Sequence, residues 1–110
     1  MKRTYYPKAQ IKEIFPEPGI YKLLTKELNI VYIGQSVNLR KRLVEHSNTT
    51  YMEFYYFDYD FFPRNKLDDV ERDELGKFEE EYLCLPKYNN QRGNKRTSKI
   101  FNSSYQTVLV

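Results

Sequence analysis

The chain has 110 residues, 40% hydrophobic and 30% charged, with a formal net charge of +3, which fits one globular domain with a modest core. A single cysteine, Cys84, and a single histidine, His46, exclude an internal disulfide and a cysteine-rich zinc site, and Cys84 reads as a small apolar residue on a helix. With no signal peptide and no apolar run long enough to cross a bilayer, a soluble intracellular protein is expected.

Charge is unevenly spread. Residues 82–110 hold no Asp or Glu but carry Lys87, Arg92, Lys95, Arg96 and Lys99, so the rest of the chain sums to −2. A basic C-terminal segment on a near-neutral body suits a phosphate-rich partner. Residues 1–90 read as the domain, with a basic, Tyr-rich N-terminal extension, and residues 91–110 as a polar, basic tail in which a short strand at 107–110 is conceivable.

In chain order, Ile11 and Ile14 suit a short helical turn after Pro7, which Pro16 and Pro18 then stop. Gly19 to Leu24 alternates as a strand, with Ile20, Lys22 and Leu24 on one face and Tyr21 and Leu23 on the other. Thr25 to Asn29 is a loop of hairpin length, and Ile30 to Ile33 is the return strand. Gly34 ends it, where the backbone turns sharply or something approaches closely. Ser36 is the expected N-cap of a helix in which Leu39 and Leu43 face the core. Asn38, Arg42 and His46, also four apart, form a second stripe beside them. His46 to Thr50 reads as a loop.

Glu53 to Asp60 reads as a third strand, aromatic on both sides and so at least partly covered on both. Leu67 to Leu83 reads as a second long helix with an apolar stripe of Leu75, Phe78 and Tyr82. Asp73 and Lys77 are spaced as a helical ion pair, and Gly76 inside the helix implies close packing or close approach. Pro86 ends the helix.

Cleaving a phosphodiester needs an activated water, charge stabilisation at the phosphoryl oxygens and help for the leaving oxygen; a divalent ion held by a carboxylate suits that task. Among the acids of the second helix, Glu79 borders the apolar stripe, four residues beyond Leu75 and one beyond Phe78, and is preferred to its neighbour Glu80, which stays an alternative.

Gly19-Ile20-Tyr21, Tyr32-Ile33-Gly34, the run Gln35 to Arg42 with His46, and Pro86-Lys87-Tyr88-Asn89 together resemble the GIY-YIG nuclease superfamily over residues 17–90. The resemblance implies a small single α/β domain, a central three-stranded antiparallel sheet flanked by helices. It implies a DNA endonuclease using one divalent ion, Mg²⁺ or Mn²⁺, with Tyr21 and Tyr32 as active-site tyrosines. Tyr21 is the preferred group to deprotonate or position water, Arg42 binds the scissile phosphate, and His46 assists the base or contacts phosphate. Glu79 ligates the metal, and Asn89 braces the site with Gly34, Ser36 and Asn38 as structural support. Arg40, Lys41, Lys87 and Arg92 are the expected nucleic-acid contacts. An unperturbed tyrosine has a pKa near 10, so Tyr21 needs help to act as a base, and a metal-bound water competes with it.

The chain departs from the family pattern twice. Gln35 stands where many relatives have Lys, and the usual glutamate position, nine residues before the closing proline, is Lys77; Glu79 matches if that link is two residues shorter. The alternative is a catalytically inactive nucleic-acid-binding module of the same fold. A homodimer for double-strand cleavage, with no membrane attachment and a cytoplasmic or nucleoid-associated location, completes the expectation.

Overall fold

The computed structural model describes residues 5–50 and 52–89; the expectations for Arg92 and for the tail, its terminal strand included, lie outside them. Strands β1 (Tyr6–Pro7), β2 (Gly19–Leu24), β3 (Ile30–Ser36) and β4 (Tyr56–Phe61) form one sheet in the order β1-β4-β2-β3, with every neighbouring pair antiparallel. The expected three strands are the central β4-β2-β3 unit. The fourth, β1, pairs only Tyr6 with Phe57 and Pro7 with Tyr56; two residues are too few to carry an alternation signal, and Pro7 has no amide with which to extend the ladder.

Alternate residues of β2 and β3 face different cores. Tyr21, Leu23 and Tyr32 pack with Leu39 and Leu43 of helix α1 (Leu39–Ser47) and with Ile11 and Ile14. Ile20 and Ile33 pack with Leu67 of helix α2 (Leu67–Tyr82), and Val70, Leu75 and Phe78 half-bury beside them. The two helices therefore lie on opposite faces of the sheet. The α2 face is also held by polar ties: Lys22 pairs with Glu74 at 2.8 Å, and the Gln35 amide donates to Asp68 and Glu71.

Ile11 and Ile14 are buried, in and just after the 3-10 helix Lys8–Glu13, as their spacing suggested. Glu17, beyond it, accepts the Leu39 N–H at 3.0 Å, which satisfies one of the amides left unpaired at the start of α1.

Several boundaries move. β3 runs through Gly34 to Ser36, because the glycine serves close approach: a Cβ there would stand 2.7 Å from the Tyr21 hydroxyl and 2.7 Å from the Tyr32 ring. The N-cap of α1 is Asn38, whose side chain accepts from the Lys41 amide. Ser36 sits two residues earlier, its Oγ accepting from the Asn38 amide and donating to the Asn38 carbonyl. α1 continues to Ser47, taking His46 into the helix. β4 starts at Tyr56 rather than Glu53, although the Tyr55 amide and carbonyl still bond the Leu24 carbonyl and the Lys8 amide. In α2, Lys77 approaches Glu74 rather than Asp73. Among the described residues nothing lies within 4 Å of where a Gly76 Cβ would stand, so close packing among them does not explain that glycine. Tyr82 is half exposed, its ring 4.4 Å from Phe78 and outside the core.

Candidate active site

β2 and β3 bring Tyr21 and Tyr32 to the face that α1 covers, and α1 returns His46 and Arg42 to them. Tyr21 is 1% exposed, Tyr32 3% and His46 4%. The Tyr21 hydroxyl is 2.7 Å from His46 Nε2. The three rings pack as a triangle, with centroids 5.8 Å apart for the tyrosine pair and 5.3 Å from each tyrosine to His46. Gly34, opposite Tyr21 in the β2–β3 register, leaves room for the Tyr21 hydroxyl where any side chain would collide.

Burial, reinforced by Tyr32, raises the Tyr21 pKa far above the ordinary tyrosine value, and the Arg42 guanidinium only partly opposes this. At neutral pH Tyr21 is therefore a neutral phenol hydrogen-bonded to imidazole. Burial alone would lower the Arg42 pKa, but the hydrogen bond to Glu45 and the two tyrosines outweigh it and hold the guanidinium charged. Arg42 Nη1 donates to Glu45 Oε1 at 3.0 Å, with its side chain still 37% exposed. Glu45 is thus a member of the constellation that sequence reading did not single out, although its spacing of three from Arg42 is a readable signal.

The structure joins Tyr21, Tyr32, Arg42 and His46. Asn89 supports them from the edge of the sheet: its Oδ1 accepts from the Ile33 amide at 2.6 Å and its Nδ2 donates to the Ile33 carbonyl at 2.7 Å. One side chain thereby completes both outward hydrogen bonds of one residue on edge strand β3, next to Gly34. Glu79 is exposed on the last turn of α2, where its carbonyl accepts the Leu83 amide, and among the described residues no hydrogen bond or ion pair ties its carboxylate to this cluster. Glu71 and Glu74 are engaged with Gln35 and Lys22. Among the described residues, no group of three His, Cys, Asp or Glu side chains gathers as a metal site. Arg40 Nε donates to the Ile14 carbonyl, Lys41 is exposed, and Lys87 is exposed with its ammonium 5.3 Å from the centre of the Tyr88 ring.

Residues 17–84 match the family model of the GIY-YIG catalytic domain. The chain belongs to the GIY-YIG family. Its fold is also that of the N-terminal GIY-YIG endonuclease domain of UvrC from Thermotoga maritima. The magnesium-bound form of that domain aligns with a TM-score of 0.57 and 22% identity, covering 74% of this chain and 93% of that one. A point mutant bound to its catalytic divalent cation aligns with a TM-score of 0.60 and 21% identity, covering 74% and 93%. No curated protein matches the chain. Among the described residues, no helix is long and apolar enough to cross a membrane.

Proposed function

We propose that this GIY-YIG domain is a metal-dependent endonuclease that hydrolyses DNA phosphodiester bonds. The observation that carries this reading is the buried Tyr21–His46 hydrogen bond beside Tyr32 with the Arg42 guanidinium at its rim. A water beside Tyr21 can pass a proton to the phenol oxygen as the phenol proton moves to His46 Nε2. Tyr21 then need never become a free phenolate, a state its surroundings oppose. Arg42, charged and oriented by Glu45, can take two phosphoryl oxygens and stabilise the charge that develops on them. Tyr32 packs against both rings of the dyad and fixes their orientation.

Glu79 is the carboxylate that could hold a hard divalent cation. Mg²⁺ is commonly held by one or two carboxylates and keeps several waters, and Glu79 offers one exposed carboxylate that makes no ion pair among the described residues. Mn²⁺ has the same oxygen preference. Bound there, the ion would supply Lewis acidity and a more acidic water. The T. maritima domains bind a catalytic divalent cation, which supports the assignment. DNA as substrate points to an intracellular site of action, and cutting both strands would call for a second copy.

The exposure of Glu79 on α2 favours one competing reading, a nucleic-acid-binding module of the same fold without catalysis. Nicking of supercoiled plasmid with Mg²⁺ or Mn²⁺, against EDTA, separates them. The nuclease reading expects metal-dependent nicking that Arg42→Ala and Glu79→Ala abolish. Full activity in Glu79→Ala would overturn that ligand assignment. Binding without cleavage of any DNA form would leave the module.

A further inference from the structure

Two stacked phenylalanines stand in solvent. Phe15 is 64% exposed and Phe61 40%, with rings 15° from parallel and centroids 6.3 Å apart. Phe61 meets the edge of Tyr59 at 5.4 Å. Tyr59 packs on Tyr6 at 5.5 Å, and Tyr6 on buried Phe57 at 5.7 Å. Single exposed apolar side chains are ordinary. This pair is rooted in the core through a run of rings and presents a rigid, flat apolar face.

Its position links it to α1. Arg40 Nε holds the Ile14 carbonyl at 2.9 Å and the Leu39 amide holds the Glu17 carbonyl at 3.0 Å, so the segment bearing Phe15 is tied to the first turn of that helix. Successive helical residues are turned by about 100°. Arg40 therefore points to the Phe15 side and Arg42 to the tyrosine side, with exposed Lys41 between them. This cationic arc spans one helix width, about 10–12 Å, and joins the aromatic face to the candidate active site.

We propose that Phe15 and Phe61 form a stacking platform for an unpaired DNA base, on a strand whose phosphates cross Arg40 and Lys41 to reach Arg42. The proposal rests on the reading of this site as a DNA-cleaving one and narrows its substrate class to DNA with unpaired nucleotides beside the scissile phosphate. The carboxylates that neighbour the platform in sequence, Glu13, Glu17 and Asp60, repel phosphate. They leave the uncharged base as the part that turns toward the rings. Base–aromatic stacking tolerates any base because each has a π-face, so recognition here is of strandedness rather than of sequence.

The test is fluorescence anisotropy in EDTA, with labelled single-stranded and splayed-end DNA against a fully paired duplex of equal length, on the full chain. Phe15→Ala/Phe61→Ala is expected to weaken binding to single-stranded and splayed DNA about tenfold while duplex binding and the salt dependence stay unchanged. Phe15→Tyr, which keeps the ring, is expected to hold the affinity. An unchanged affinity for single strands, or an equal loss on single strand and duplex, overturns the proposal, as does loss in Phe15→Tyr with an unaltered thermal transition. Because these measurements are made without metal, their outcome is independent of plasmid nicking. Nicking with no stacking effect sinks only the platform, and a stacking effect without nicking sinks only the nuclease reading.

Discussion

At the scale of single residues, the Tyr21 hydroxyl has exchanged water for His46. Tyr21→Phe removes that hydrogen bond while leaving a ring of the same shape, so its stability cost should be about 1 kcal/mol. If the phenol relays the proton of the attacking water, DNA nicking should fall by about two orders of magnitude or more. A loss of only a few-fold in initial nicking rate would remove Tyr21 from the relay. The raised pKa also has a sign that can be measured. The native state holds the Tyr21 proton more tightly than the unfolded chain, whose tyrosines titrate near 10. The contribution is therefore full below pH 10 and is lost as pH rises above it. In melting curves from neutral pH upward, wild type should lose stability beyond pH 10 more steeply than Tyr21→Phe. Helical spacing already put Arg42 and His46 on one stripe. The same pattern did not reveal that His46 is buried, because the partner that buries it is 25 residues away.

At the scale of elements, the three longer strands and both main helices were legible because their apolar periodicity is strong, but their ends depended on tertiary partners. β3 outruns its expected end because Gly34 lies under the Tyr21 hydroxyl. α1 takes Asn38 as its cap because Ser36 is spent on the turn before it. Gly76 is the opposite case: a helical glycine with open space around it among the described residues and no positive φ. Gly76→Ala should therefore stabilise the domain by about 0.5–1 kcal/mol, seen as a higher denaturation midpoint with an unchanged slope; destabilisation would overturn the view that this position has room for a side chain. Asn89 was readable as a brace from its family signature, but the two hydrogen bonds to Ile33 come from the fold. Asn89→Ala leaves the Ile33 amide and carbonyl without these partners and should cost about 1–3 kcal/mol. Asn89→Asp keeps the acceptor but sets a carboxylate against the Ile33 carbonyl. It should not rescue the loss; if it does, the amide donor is dispensable.

At the scale of the whole molecule, the net charge of +3 conceals a strong asymmetry. Between Leu67 and Tyr82, α2 carries eight carboxylates against Arg72 and Lys77, whereas α1 carries Arg40, Lys41 and Arg42 against Glu45. The sheet separates these helices, which expose opposite signs. DNA, with one charge per about 1.7 Å of duplex axis, should approach over α1 and be turned away from the α2 face except where a cation held by Glu79 would offset the local negative charge. Sequence reading attached the basic character to the C-terminal segment, since five cations in residues 82–110 stand without an acid; only the fold sets the two helices back to back. Exposed charges further apart than the Debye length, about 10 Å at 0.1 M salt, are largely screened from one another, and each helix is itself about 10–12 Å across. Charge reversal should therefore matter on one face and not on the other. Lys41→Glu is expected to weaken DNA binding and to reduce the slope of log affinity against log salt by about one. Asp73→Lys, an equally solvated charge change on α2, should leave both nearly unchanged at 0.1 M salt. Equal effects from the two variants would mean that DNA also contacts α2. In that case the acidic face would take part in binding beyond the position of Glu79, with the α1 arc reduced to a general source of attraction.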